Sequence, residues 1–281
     1  MQIITKIEEL KRWVVDAKKA QQKVGFVPTM GYFHEGHLSL MKQARQENEL
    51  VVVSLFVNPI QFEPQEDLAC YPRDLERDQA MAAQVGVDLL FVPESRDMYP
   101  DGFQSYVEVV EVSQGLCGGQ RLGHFRGVAT VVLKLFNLVE ANRAYFGEKD
   151  AQQLRVIRQM VRDLSVNVEI IGCPIVREAD GLAFSSRNVY LNLTERQAAL
   201  VLSRTLKLAQ QLILEGLRDS EELSRKLLVM ISQEPLAKLD YLEILESDSL
   251  RPISKITGVV LIALAVKIGK TRLIDNLCVT V

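Results

Sequence analysis

Histidine is nearly absent from the sequence: three in 281 residues, His34, His37 and His124. Cysteine is almost as sparse, and Cys70, Cys117, Cys173 and Cys278 show no paired short spacing, which excludes a zinc knuckle and a disulfide framework. Long apolar runs are missing too. The longest, residues 259–266, falls far short of the roughly 20 residues that cross a hydrocarbon core, so no membrane-spanning helix is expected. Neither sign of charge dominates: 33 Lys and Arg against 36 Asp and Glu leave −3. No global positive field is available to hold a nucleic acid or an acidic membrane surface. The start, Met1-Gln2-Ile3-Ile4-Thr5-Lys6, carries neither the basic stretch nor the apolar core of a secretory leader, and cytoplasmic residence is expected. What is there is ordinary globular material, 48% hydrophobic and 25% charged, in a length that suits two domains of about 150 residues.

Apolar periodicity alternates along the first half. Ile7, Leu10, Val14 and Ala17 recur at helical spacing, residues 24–27 form a strand-like run stopped at Pro28, and residues 50–56 suit a strand covered on both faces. The pattern continues as helix 74–85, strand 88–92, helix 128–139, strand 143–146, helix 150–163 and strand 168–171. Strands separated by helices imply right-handed crossovers and a doubly wound parallel sheet, the α/β class. Beyond about residue 175 the order changes to two long helical stretches, 194–215 and 220–233, followed by strand-like 241–245 and 259–266. Helices first and strands after indicate a smaller α+β domain, and the expected division is 1–175 and 176–281.

The sharpest segment is Pro28-Thr29-Met30-Gly31-Tyr32-Phe33-His34-Glu35-Gly36-His37, which leaves the first strand and opens a helix. Doubly wound sheets bind ligands at this place, and the amide groups and positive dipole end of the helix attract phosphate. Gly31 and Gly36 clear the turn of side chains. His34 and His37, three apart, share one face of the first helical turn, where two imidazoles can donate hydrogen bonds to phosphoryl oxygens. A surface turn with incidental histidines, or a zinc site completed by His124, are the other readings; the helical metalloprotease pattern, however, sets its two His four apart.

Asn58-Pro59-Ile60-Gln61 leaves the next strand with two amides able to pair with a hydroxyl or carboxylate, or simply to serve a proline turn. Residues 118–127 are glycine-dense and include Arg121, His124 and Arg126; they read as a loop that either approaches an anionic ligand or merely connects. Gly147-Glu148-Lys149-Asp150 again sits where a strand gives way to a helix, with Lys149 able to reach a phosphate and Gln153 one turn further on. Ser185-Ser186-Arg187-Asn188 offers two hydroxyls and a guanidinium fork to a polyphosphate, or is a plain connection.

Taken together and in this order, these segments resemble the pantoate–β-alanine ligase family, and the match continues to Arg272-Leu273-Ile274-Asp275-Asn276 near the end. The paired-histidine turn and a serine-rich second signature are shared with class I aminoacyl-tRNA synthetases and related nucleotidyltransferases. The resemblance implies a Rossmann-like nucleotidyltransferase sheet and a two-step reaction. The pantoate carboxylate attacks the α-phosphorus of ATP, releasing pyrophosphate, and the amine of β-alanine then displaces AMP from pantoyl adenylate. It implies catalytic roles for His34, His37, Lys149 and Arg187, with His37 as the catalytic donor. Implied ATP contacts are Met30, Gly31, Tyr32, Phe33, His34, Glu35, Gly36, His37, Gly147, Glu148, Lys149, Asp150, Val176, Phe184, Ser185, Ser186 and Arg187. Gln61 and Gln153 are implied to hold pantoate, with Asn58, Tyr71 and Arg121 as nearby candidates.

Magnesium is implied with ATP, bridging phosphates without a dedicated protein cage. The implied partners are the two small substrates and a second copy of the chain in a homodimer, with no nucleic acid and no membrane. Leu122, Ala151 and Phe184 stand where the family commonly has proline, an aromatic and methionine, which bears on rate and nucleotide affinity rather than on reaction type. The competing classes are another adenylate-forming or nucleotidyl-transferring enzyme of the same superfamily, a tRNA-reading module and a metal-dependent hydrolase.

Overall fold

Short β-branched runs separated by amphipathic helices build the larger sheet, in a computed structural model that describes residues 1–281. In chain order the elements are β1 (Gln2–Ile4), α1 (Ile7–Lys19), β2 (Val24–Thr29), α2 (Glu35–Glu47), β3 (Leu50–Leu55), α3 (Leu75–Gln84), β4 (Leu89–Phe91), α4 (Ser95–Met98), α5 (Leu116–Gln120), α6 (His124–Val139), β5 (Arg143–Gly147), α7 (Ala151–Asp163) and β6 (Glu169–Cys173). All six strands are parallel, in the order β1-β4-β3-β2-β5-β6. Val51, Val52 and Val53 of β3 are each 0% exposed, as a strand covered on both faces requires. The apolar stripe of α2, including Leu38, Met41 and Ala44, packs in one cluster with Val27, Val51, Val53 and Leu90. The winding runs from β2 through β3 to β4 on one side and from β5 to β6 on the other. Ligand crevices of open α/β sheets lie at such a reversal, beyond the carboxyl ends of the strands, here those of β2 and β5.

The rest of the chain forms α8 (Leu193–Ala199), α9 (Val201–Leu214), α10 (Ser220–Ser232), β7 (Ala237–Glu246), β8 (Val259–Ile268) and β9 (Thr271–Thr280). The three strands are antiparallel, in the order β7-β8-β9. Ile244, Ile262, Leu264 and Val266 on one face share a core with Leu202, Leu206, Leu223 and Leu227 of the helices. The chain thus divides into two compact units, residues 1–148 with 156–174, and residues 149–155 with 175–281. No helix is long and apolar enough to cross a membrane.

The α/β class with its smaller α+β companion follows the alternation of apolar patterns, but four local features do not. β1 is too short to show a period. β9 carries Arg272, Asp275 and Asn276 inside an otherwise apolar run, and Asp275 is only 3% exposed because its charge is paired. The expected helix 194–215 is interrupted at Leu200, where the backbone tightens to an i→i−3 bond onto Gln197 that leaves the apolar period unbroken. Finally, residues 118–127 are not a loop: Gly118 and Gly119 lie in α5, and α6 begins at His124 behind Gly123 at φ 78°. Two of its glycines serve backbone packing: a Cβ on Gly118 would stand 1.7 Å from Ser113 O, and one on Gly127 2.6 Å from Ile60 O.

Candidate active site

β2 ends at Thr29, whose hydroxyl donates to Ser54 O on β3 at 2.7 Å and accepts from the Gly31 amide at 3.3 Å. The chain then turns through the left-handed region at Gly31 (φ 87°) and Tyr32 (φ 54°). A Cβ on Gly31 would lie 3.0 Å from Leu55 Cδ2 and 3.1 Å from Asp78 Oδ2, so both space and dihedral select glycine there. Tyr32 has no such freedom and is held from outside. Asp78 of α3, 1% exposed, accepts the amide hydrogens of Tyr32 and Phe33, each at 2.6 Å, while the Arg77 guanidinium sits 5.0 Å over the Tyr32 ring. Burial raises the Asp78 carboxyl above the ordinary aspartate range, against the opposing pull of the two amides.

Phe33 is fully buried and anchors the far side of the turn. His34 follows in extended conformation as the residue before α2, with no side-chain cap. The amide donors of a helix start lack intrahelical carbonyls, so this one is open to an anionic ligand. The His34 and His37 rings lie 4.1 Å apart at 34°, and Phe33 packs on His37 at 5.6 Å. Both imidazole Nδ1 atoms are shielded from solvent. Gly36 O takes a bond from Ser39, and Glu35, its side chain 54% exposed, points away to Lys42.

Beside this turn lies Gln61, whose Nε2 donates to Met30 Sδ at 3.3 Å. Its Oε1 accepts from Asn58 Nδ2 at 3.0 Å, which fixes the amide with its donor edge toward Met30. Asn58 is 1% exposed, donates also to Gly127 O at 3.1 Å, and accepts from the Tyr99 hydroxyl at 2.7 Å. Burial pushes the Tyr99 phenol well up, so it stays a donor at working pH. Asn58 therefore orients Gln61 from beneath. The Gln61 carbonyl is held by His124 Nδ1 at 2.8 Å, while Arg121 lies 2.9 Å from His124 Nε2. An arginine only donates, so Nε2 accepts and the proton of a neutral His124 sits on Nδ1. Arg121 in turn makes a two-point pair with Glu66. Burial favours a raised Glu66 carboxyl, but the hydrogen bond and charge of Arg121 outweigh it and hold the group below its usual range. Tyr71 is buried and packs edge-on to Phe62 at 6.0 Å.

Gly127 makes this arrangement possible. A Cβ there would stand 2.6 Å from Ile60 O and 2.7 Å from Gln61 Cα. Gly127→Ala adds helix propensity to α6 but pushes the Gln61 backbone outward. If Gln61 contacts a substrate as the sequence leads one to expect, the expected result is a folded protein with the catalytic efficiency toward that substrate reduced about 10- to 100-fold. Steady-state kinetics together with a thermal melt check this, and wild-type efficiency would remove the positioning role from Gly127.

The second unit contributes its own set. Lys149 and Asp150 occupy a 3₁₀ turn, with Lys149 Nζ 3.9 Å from Asp150 and its side chain 20% exposed. Gln152 is buried and Gln153 half-buried in the first turn of α7, which Arg155 anchors by donating to Ser247 O at 2.9 Å and Ser247 Oγ at 2.8 Å. Val176 O accepts from the Phe184 amide at 3.1 Å, closing a hairpin-like loop. Ser185 caps the turn that follows by accepting from the Arg187 amide at 3.2 Å, and Ser186 is buried. Asn188 ties the turn to Glu178 at 2.9 Å, and Glu178 in turn takes Arg196 at 2.8 Å. Lys149, Ala183, Ser185, Asn188 and Asp275 line one recess.

The first unit thus brings Met30–Gln61, the stacked histidines and the Asn58–His124–Arg121 support into one neighbourhood, and the second brings Lys149 to Ser185. Asp78, Gly127, Glu66, Arg155 and Asp275 were not marked as functional by the sequence. Of these, Gly127 and Asp275 lie inside segments that the sequence singles out, 118–127 and 272–276. No three His, Cys, Asp or Glu side chains converge as a metal cage, and His124, the third ligand that a zinc reading needs, spends both ring nitrogens on Gln61 and Arg121.

Known proteins answer the same description. The Pantoate-beta-alanine ligase family model matches residues 2–278. A pantothenate synthetase of Heliobacterium modesticaldum is 55% identical, covering 100% of both chains, and one of Caldicellulosiruptor bescii is 54% identical, covering 99% of both. The crystal structure of pantothenate synthetase from Thermus thermophilus superposes with a TM-score of 0.94 at 47% identity, covering 99% of each chain. That of pantoate–β-alanine ligase from Francisella tularensis, complexed with beta-gamma ATP and β-alanine, gives 0.81 at 40%, covering 99% of this chain and 97% of that one. With such identity sustained from end to end, the chain belongs to the pantoate–β-alanine ligase family.

Proposed function

We propose that this protein condenses pantoate with β-alanine, cleaving ATP to AMP and pyrophosphate through a pantoyl adenylate. The observation that carries the chemistry is the pair of stacked imidazoles, 4.1 Å apart, at the start of α2 beyond the carboxyl end of β2. A free carboxylate is a poor electrophile, so amide formation needs prior activation. In the first step a pantoate carboxylate oxygen attacks the α-phosphorus and the bond to pyrophosphate breaks. His37, steadied by His34 and Phe33, donates to the phosphoryl oxygens as charge builds on them, and the α2 start adds its dipole. In the second step the neutral amine of β-alanine attacks the acyl carbon, the bond to AMP breaks, and the amine loses a proton.

Gln61 presents its donor edge to pantoate, with Gln153 as the second amide; the Asn58 and Arg121 networks set that edge rather than supply the contact. Residues 30–37, 147–150, Val176 and 184–187 serve ATP, with Lys149 and Arg187 offering charge to the phosphates. ATP enters with magnesium on its phosphates. The Francisella complex with an ATP ligand and β-alanine supports this reading at 40% identity.

Pantoate-dependent exchange of pyrophosphate into ATP, followed by AMP release that depends on β-alanine, is the expected result. Exchange without pantoate, or with another acid only, would overturn the assignment in favour of a different adenylating enzyme. Cytoplasmic residence and a homodimer belong to the same proposal. Residues 104–111 alternate like a strand yet belong to neither sheet, with Tyr106 45% and Val110 66% exposed, which gives a second copy a surface to pair with. Sedimentation at twice the 31.7 kDa chain mass is expected.

A further inference from the structure

Successive residues of a strand face opposite sides of the sheet, and Asp275 and Asn276 of β9 use both. Asp275, 3% exposed, takes a two-point pair from Arg177 at 2.6 and 2.9 Å. Arg177 follows Val176, donates also to Gly181 O at 3.1 Å, and pairs across a β-bridge with Ala183. The root of the 176–187 loop is therefore fastened to β9. Asn276, 4% exposed, turns the other way and donates from Nδ2 to the Lys149 carbonyl at 2.9 Å. It reads the backbone, so it sets the course of the chain at Lys149 whatever the lysine side chain does. Its neighbour across the sheet is Ala263, small enough to leave that face open for the 149–155 segment. A part-buried ion pair and a buried amide gain little net stability over apolar residues of the same volume, which leaves geometry as what they supply.

We propose that Asp275 and Asn276 form a positioning pair, Asn276 for Lys149 and Asp275 for the 176–187 loop, that presents both segments to one polyphosphate. The proposal rests on the assignment of Lys149 and residues 184–187 to ATP made above.

Asn276→Ala is expected to raise the KM for ATP in pantoate-dependent exchange about tenfold, the scale of one lost hydrogen bond. The KM for pantoate, and the rate at which β-alanine consumes preformed pantoyl adenylate, stay as in the unaltered protein. In a Lys149→Ala background the same substitution changes nothing further, because it acts through Lys149. A merely structural Asn276 would lower the active fraction and scale every rate alike, and its loss would multiply with that of Lys149→Ala; either result overturns the proposal. If Asn276→Ala does not fold, Asn276→Leu keeps nearly the volume, removes the donor without adding a charge, and is judged by the same outcomes. Calorimetric binding of α,β-methylene ATP separates this inference from the reaction itself. About tenfold weaker binding by the variant supports the positioning role even if exchange proves to need another acid, whereas unchanged affinity overturns it.

Discussion

His37→Ala lowers adenylate formation by about 10²- to 10³-fold, or about 3–4 kcal/mol of transition-state stabilisation, and changes pantoate affinity little. The asymmetry comes from when the interaction strengthens. In the proposed site pantoate is held by amides, Gln61 foremost, whose orientation is fixed by Asn58 and does not involve the imidazole. Charge accumulates on the phosphoryl oxygens only as the carboxylate attacks, and a donor already fixed in place meets it without reorganising. In the proposed mechanism the His37 ring is such a donor. It is clamped between Phe33 at 5.6 Å and His34 at 4.1 Å, and it rises from the first turn of a 13-residue helix. Pyrophosphate exchange measures the first quantity and calorimetry with pantoate the second. Equal, small losses in both would remove the assigned role from His37. A collapse of pantoate binding with unaltered exchange at saturation would move it to the acid.

How much of this was legible beforehand differs by kind of residue. Residues proposed to touch a ligand carry their chemistry in their identity, so His34, His37, Gln61 and Lys149 stand out at strand ends even in a bare sequence. Residues that hold those in place do not. Asp78 lies 41 positions beyond His37 on α3 and reads as an ordinary helical acid until the fold lays its carboxylate against two amides of the 31–33 turn. Gly127 reads as one more glycine in a dense stretch; its need is set by Ile60 O, far back in the chain. Arg121 shows a related limit, since the sequence offers it as a ligand contact and gives no sign that it also pairs with Glu66 and braces Gln61 through His124. The parallel sheet was legible because its inner strands, β3 above all, are covered on both faces and so are continuously apolar. β9 was not, because a paired, buried Asp275 looks like a surface position to any one-dimensional pattern.

Asp78→Ala strikes the same turn from behind and should cost both stability and rate. Two amides, those of Tyr32 and Phe33, lose their acceptor, and each buried amide left without one costs about 1–3 kcal/mol. Tyr32 at φ 54° also loses the contact that holds a non-glycine residue in the left-handed region. The turn relaxes, and the histidines it delivers to α2 move with it; a displacement of about 1 Å is enough for roughly a 100-fold loss of adenylation. Asp78→Asn is the milder test, keeping one acceptor and turning an amide group toward the other N–H. The pH dependence separates the two contributions of the carboxyl. Burial raises its folded value above the unfolded one, so the native protein binds that proton more readily than the unfolded chain does. By linkage, the stability it contributes is complete below the unfolded value and is lost as pH rises through the folded value. The stability advantage of the unaltered protein over Asp78→Asn is therefore largest in acid and narrows toward neutrality, while the activity advantage persists, because the ionised carboxylate still accepts both amides. Urea denaturation of the two proteins from about pH 4 to about pH 8, alongside pyrophosphate exchange near neutrality, reads both. A gap that widens with pH would mean that the two amide bonds outweigh burial at Asp78. Full activity in Asp78→Ala would show that the left-handed turn holds its shape without the carboxylate beneath it.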